Sequence, residues 1–283
     1  MTDANTVLVV DGSSLFARSA YTSVNNFFSM LLKAVGDVNP NQMIMCFDRG
    51  YGSYSEYRRS LYPDYKTNRE TKPEWYYPLQ DLLVSHFKAS SIKTLVSNEA
   101  DDLIFTLIGQ IKSWPGNESV IVSGDKDMFA LIDKDTKVLW WSRSFEAREI
   151  VDATSCEDII GCRPDQVLYY KALAGDPSDN YPGCPGIGHV WALRLISKYG
   201  TIEGIYQNLE KIPPGIRAKL TEGKELVNIS LELAKFLVEI NLSVNPNVYG
   251  PDCCADFADL IGGKIVNDFM LEYNTEFATN ETS

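Results

Sequence analysis

Apolar and polar positions follow two regimes along this chain. Short, nearly continuous apolar runs rich in β-branched residues occupy Thr6 to Val10, Gln42 to Phe47 and Ser119 to Ser123. That is the pattern of parallel strands buried on both faces. Between them the apolar period lengthens to three or four. One helix is predicted from Ser13 or Ser14 to about Val35, and another behind Asp102 on Leu103, Ile104, Leu107, Ile108 and Ile111. Lys137 to Trp141 predicts a further strand, and Arg148 to Val151 a short extended piece. Helices are then predicted from Asp152 to Ile160, Pro164 to Leu173, His189 to Tyr199 and Ile202 to Leu209, and between Gly215 and Ile240. Pro213-Pro214 breaks the helical pattern, and beyond Asn241 the sequence is turn-rich and predicts no clear element. The alternation predicts an α/β fold, a central, mainly parallel sheet flanked by helices. Residues 1–150 would form the sheet-bearing core and 151–283 a helical region.

Acids collect where these strands end. Asp11 follows the first strand and Asp48 the second; Glu99, Asp101 and Asp102 open a helix, and Asp125 and Asp127 follow another strand. Open α/β sheets build their sites at the carboxyl edge. Helix capping would account for one or two of these residues, but not for acids at the ends of several strands. Like charges gathered together need something positive among them. Hard oxygen ligands in that number imply magnesium, with manganese able to substitute.

A basic, aromatic-rich stretch lies between Asp48 and Glu99. Arg58, Arg59, Lys66, Arg69 and Lys72 alternate there with tyrosines that include Tyr65. Cations for phosphates and rings for bases are the equipment of single-stranded nucleic acid binding. Lys66 and Arg69, three apart, would share a helix face turned back towards the acids. Later, Asp176 and Asp179 stand in a turn, and Gly186-Ile187-Gly188 opens a helix whose bare amides suit a phosphate oxygen or an ion.

Composition alters this reading little. The net charge is −12 over 283 residues. Nine candidate ligands (Asp11, Asp48, Glu99, Asp101, Asp102, Asp125, Asp127, Asp176, Asp179) account for nine of those charges, leaving three. Global acidity therefore does not exclude a phosphate substrate, although it argues against tight, indiscriminate duplex binding. No apolar run approaches the ~20 residues of a membrane span, and no secretory leader is visible at the start. Six cysteines without a Cys-X-X-Cys pair fit a reduced, cytoplasmic setting.

In order, Val10-Asp11-Gly12, Phe47-Asp48, Tyr65-Lys66-X-X-Arg69, Glu99-Ala100-Asp101-Asp102, Ser123-Gly124-Asp125-Lys126-Asp127, Gly175-Asp176-X-X-Asp179-Asn180 and Gly186-Ile187-Gly188 resemble the 5′-nuclease family. This family holds flap endonucleases and the 5′→3′ exonuclease domain of bacterial DNA polymerase I. The likeness spans about Val7 to Tyr199, and the stand-alone length resembles the bacteriophage members. It implies a PIN-like or resolvase-like core with a C-terminal helix–three-turn–helix that grips duplex. It implies two magnesium ions, the first served by Asp11, Asp48, Glu99, Asp101 and Asp102. Asp125, Asp127, Asp176 and Asp179 would serve the second, some through water, so the helical region completes that site. Lys66 and Arg69 match the basic pair by the scissile phosphate in an arch or gateway (51–78 here, and short), with Tyr65 as the adjacent aromatic.

Arg58, Arg59, Tyr65, Gly186, Ile187 and Gly188 would contact DNA. The family places Lys or Arg where Val190 stands here, so Arg194 and Lys198, on the same helix face, are expected to hold the duplex backbone. A potassium ion at the helix–three-turn–helix loop is a further expectation. Implied partners are branched, nicked or flapped DNA with a 5′ end, RNA–DNA hybrids and replication proteins, with the chain a monomer and no membrane. Two rivals are a PIN-type ribonuclease and a protein that binds branched DNA without cutting it. The Gly175 to Tyr199 module speaks against the first, and the full set of nine acids against the second.

Overall fold

The computed structural model describes residues 5–49, 53–90, 92–114, 116–142, 146–238, 242 and 260–276. Among the described residues six strands form one sheet: β1 (Asn5–Asp11), β2 (Gln42–Asp48), β3 (Lys93–Ser97), β4 (Asn117–Ser123), β5 (Thr136–Trp141) and β6 (Arg148–Val151). Their order is β3-β2-β1-β4-β5-β6. The first five run parallel and β6 pairs antiparallel with β5. The order reverses between β1 and β4, so the carboxyl ends of these strands flank a topological switch point.

Alternate strand residues feed two cores. Leu8, Val10, Met43, Met45 and Val122 pack on one side with α1 (Gly12–Ser19), α2 (Val24–Val38) and α4 (Tyr76–Lys88). Val7, Val9, Ile44, Cys46 and Ile121 pack on the other with α5 (Ala100–Lys112). The long helix expected after β1 is two. Ser23 accepts from the Asn25 amide and starts α2 afresh, a local cap outweighing the apolar period. Gly12 lets the chain leave β1 tightly, since a Cβ there would lie 2.5 Å from the Phe47 ring.

The helical region comprises α6 (Ala153–Ile160), α7 (Val167–Ala174), α8 (His189–Tyr199), α9 (Ile202–Gln207), α10 (Pro214–Glu222) and α11 (Lys224–Ala234). The last two occupy the span between Gly215 and Ile240 where helices were expected; residues 239 and 240 lie outside the described residues. Past position 241, where no element was expected, a π-helical turn (Leu260–Ile265) leads into α12 (Val266–Glu276). Ile261, Ile265 and Phe269 are buried among the residues of α2 and α4. This last helix therefore returns to the sheet-bearing half, which a simple division at 150 does not capture. Among the described residues no helix is long and apolar enough to cross a membrane.

Candidate active site

The ends of β1, β2 and β4 and the start of α5 bring Asp11, Asp48, Asp125, Glu99 and Asp101 around one cavity of about 410 Å³, which Lys66, Arg69 and Arg59 also line. A larger cavity of about 600 Å³, between α4 and α12, contains none of the nine acids. Capping explains part of the acid pattern. Asp11 accepts from the Ser14 amide at 2.9 Å, and Asp125 from the Asp127 amide at 2.9 Å. Glu99, by contrast, occupies the N-cap position of α5 without capping it. Its carboxylate accepts from Ser55 Oγ at 2.6 Å and Lys66 Nζ at 2.9 Å, so side chains of the basic segment hold it towards the cavity.

Burial, reinforced by neighbouring carboxylates, pushes Asp11 up to about 7 and Asp48 to about 6. Burial and Asp125 likewise push Asp127 up to about 7, and Asp101 is held well above the usual carboxylate range. Burial would also raise Glu99, but Lys66 and Ser55 outweigh it and lower the carboxyl. Such a cluster tolerates its own charge poorly and is suited to a bound cation. Among the described residues no three acidic, His or Cys side chains already close on a common point at ligand spacing. The acids line a cavity, and ammonium groups take part of their oxygen lone pairs. The cavity leaves room for a divalent cation that keeps several waters and needs few direct carboxylates.

Asp179 belongs to the same system. Arg69 Nη2 reaches its Oδ1 at 2.5 Å and Tyr65 Oη its Oδ2 at 3.2 Å. Lys66 does face the acids, but not from a helix. Helix α3 (Ser53–Leu61) stops before Pro63, and Lys66 sits in a turn at φ +58°. A non-glycine residue in that region carries strain that its surroundings must hold. Here the Lys66 amide donates to the Asp179 carbonyl at 2.9 Å.

Sequence motifs had no place for Lys171. Its ammonium, side chain 10% exposed, bonds both Asp127 and Asp176. Burial would raise Asp176, but Lys171 and the Ser178 donors hold its carboxyl at about 2. The available signal was a lone cation in the apolar run Val167 to Ala174, since a buried charge needs a partner.

Three expected roles are corrected. Asp102 is fully buried, and its two oxygens accept from Arg58 Nη1 and Nη2, both at 2.8 Å. The Leu237 amide adds a third bond at 2.7 Å. Asp102 is thus sealed in an ion pair with three of its roughly four lone-pair sites taken, and it does not line the cavity. Arg58, also buried, has no free edge for DNA and further donates to the Lys235 carbonyl at 3.1 Å. Tyr65 is 3% exposed and packs with Tyr181 and Leu233, so its ring offers no stacking face. The spacing of Glu99, Asp101 and Asp102 could not reveal this, because the buried arginine comes from another element.

Helix α8 packs with α7 and has the anticipated faces. Ala192, Leu195 and Ile196 are buried, while Val190, Arg194 and Lys198 are exposed. Ile187 is buried; Gly186 takes φ +78°. Lys219 Nζ donates to the Gly186 carbonyl at 3.0 Å, so a tethered cation already meets this loop where potassium was expected.

Residues 6–161 match the model of the 5′-3′ exonuclease N-terminal, resolvase-like domain, and residues 162–255 that of the 5′-3′ exonuclease C-terminal SAM fold. The 5′-3′ exonuclease of Bacillus subtilis is 31% identical over 261 residues, covering 85% of this chain and 84% of that protein. The chain belongs to the 5′-3′ exonuclease family. Its enzymes are nucleases that hydrolyse phosphodiester bonds.

Within this family the chain is 34% identical over 258 residues to DNA polymerase I of Caldicellulosiruptor bescii, spanning 84% of this chain but only 30% of that longer protein. The bacteriophage T5 D15 flap endonuclease, crystallised as a pseudo-enzyme–product complex with DNA and metal ions, shares the fold. Its TM-score is 0.65 at 20% identity, covering 94% of this chain and 97% of that one. The fold class expected from the sequence, a mainly parallel, resolvase-like core followed by a helical region, therefore holds. The family boundary at 161/162 falls after α6, about ten residues beyond the division expected at 150.

Proposed function

We propose that this chain is a structure-specific, divalent-metal-dependent 5′ nuclease with 5′→3′ exonuclease and flap endonuclease activity on DNA, working in replication or repair in the cytoplasm. The observation that carries the reading is the convergence of Asp11, Asp48, Glu99, Asp101 and Asp125 with Lys66 and Arg69 on one cavity. The T5 flap endonuclease of similar fold, known with DNA and metal ions, supports it. Asp11, Asp48, Glu99 and Asp101 would hold one magnesium ion, and Asp125, Asp127, Asp176 and Asp179 a second. When bound, such ions neutralise the scissile phosphate, lower the pKa of an attacking water and stabilise the leaving 3′ oxygen.

The chain's own groups do the rest. Lys66 and Arg69, now neutralised by Glu99 and Asp179, would turn to the phosphoryl oxygens as charge develops there. Lys171 holds Asp127 and Asp176 in register. Arg59 meets the strand at the cavity mouth, while the amides of Ile187 and Gly188 with Arg194 and Lys198 carry the duplex. RNA–DNA hybrids, and action as a monomer alongside replication proteins, complete the proposal.

A cleavage map on 5′-labelled flapped DNA, with and without magnesium, tests it. The expected result is magnesium-dependent cutting near the junction, leaving a 5′-phosphate and a 3′-hydroxyl. Single-stranded RNA cut in preference to the flap would favour a PIN-type ribonuclease instead. Binding of the flap with no cutting at any magnesium concentration would favour a non-cleaving protein.

A further inference from the structure

Beside the acids, the described residues carry exposed rings that the hydrolysis does not use. Tyr21, 55% exposed, lies in the connection between α1 and α2, and Trp75, 37% exposed, stands just before α4. The two meet edge to face with centroids 5.5 Å apart. Lys72 Nζ lies 5.6 Å from the Tyr21 ring centre and 4.7 Å from that of Tyr76. Tyr76 is buried against Phe16 with centroids 4.9 Å apart, so the assembly is fixed to the core. Leaving two large rings in water forgoes the free energy of burying them. Two segments well separated in sequence nevertheless supply this one surface, with a cation at its edge. Lys72, Tyr76 and Tyr77 also line the cavity that holds Asp11, Asp48 and Asp101, which makes the ring cluster continuous with the acid cluster.

We propose that Tyr21, Trp75 and Lys72 form a base-stacking platform for the single-stranded arm of the substrate, outside the metal-binding acids. The inference rests on the nuclease reading for the identity of the strand, but it concerns binding alone. Sequence-tolerant stacking on aromatic faces beside phosphate-seeking cations is how single strands are held. Lys72, Arg59 and Arg69 provide such cations along the path to the acids. An apolar peptide would leave all three unmatched.

The test uses the full chain in excess chelator, where no cleavage proceeds. Oligothymidylate is compared with an abasic strand of equal length, followed by tryptophan fluorescence. The base-bearing strand should quench fluorescence far more than the abasic one. Trp75→Phe should lose most of that quenching while keeping affinity within about twofold, because a ring remains. Tyr21→Ala combined with Trp75→Ala should weaken single-strand binding about tenfold, roughly 1.4 kcal/mol, with the melting temperature and blunt-duplex binding unmoved. Equal binding of the two strands, or wild-type affinity in the double alanine variant, would overturn the platform. Base-dependent quenching without any magnesium-dependent cleavage of flapped DNA would instead sustain the platform and sink the catalytic reading.

Discussion

The Arg58–Asp102 pair separates two readings of the acid cluster, because one of its members also matches the family's metal-ligand motif. In the structure Asp102 is fully buried, accepts two Arg58 donors at 2.8 Å and takes the Leu237 amide at 2.7 Å. The pair ties α3 to α5 and to the strand of chain that follows α11. Removing one partner of such a buried pair leaves an uncompensated charge and costs about 3–5 kcal/mol. Against the 5–15 kcal/mol typical of a folded domain, Asp102→Asn should lower the urea midpoint substantially in metal-free buffer. Asp102→Leu with Arg58→Leu should recover a good part of that loss, since no buried charge is then orphaned. Urea unfolding followed by circular dichroism, with magnesium affinity measured on the same proteins, is the assay. If Asp102 were a ligand, Asp102→Asn would leave metal-free stability unchanged or raised and would cut magnesium affinity. That result would refute the structural role.

Further outcomes follow from the same geometry. Asp11 at about 7, Asp48 at about 6 and Asp127 at about 7 bind a proton more tightly folded than unfolded. Their stabilising contribution is therefore complete below about pH 4 and lost as pH rises through 6–7. Metal-free protein should accordingly lose stability between pH 5 and 8 and regain it with magnesium, while a metal-free melting temperature that climbs over this range would contradict the shifts. Lys66→Ala should slow single-turnover cleavage about 100- to 1,000-fold, roughly 3–4 kcal/mol, with little change in affinity; weaker binding at an unchanged rate would make Lys66 a docking group. Arg194→Ala with Lys198→Ala should flatten the logarithmic salt slope of duplex binding by roughly two units, and Val190→Lys should steepen it by about one. Wild-type slopes in both variants would place the duplex elsewhere.

What the sequence disclosed depended on range. The buried strands were legible because residues such as Val7 to Val10 are apolar on both faces, and α8 because its opening glycines and its apolar period agree. The break between α1 and α2 was missed, since a local Ser23 cap overrides an apolar period that runs through it. Helix α12 was invisible for another reason: Ile261, Ile265 and Phe269 acquire meaning only when α2 and α4 offer them a surface. At the site, acids at strand ends could be read from spacing alone, because parallel strands share one carboxyl edge. Their individual duties could not. Asp102 and Asp101 are neighbours in sequence, yet one is sealed against Arg58 and the other lines the cavity. Lys171 and Lys219 reach their partners from helices that local patterning does not connect to the site.

The central claim is that the carboxylates around the cavity serve chemistry rather than folding or docking. It is tested most directly at Asp125, whose own backbone contacts survive amidation. Single-turnover cleavage and equilibrium binding of 5′-labelled flapped DNA should be measured for wild type and Asp125→Asn across a magnesium titration. The account expects cleavage to be abolished at every magnesium concentration, while flap binding is equal or tighter because a negative charge near phosphate is gone. Cleavage close to the wild-type rate, with the same magnesium dependence, would contradict it.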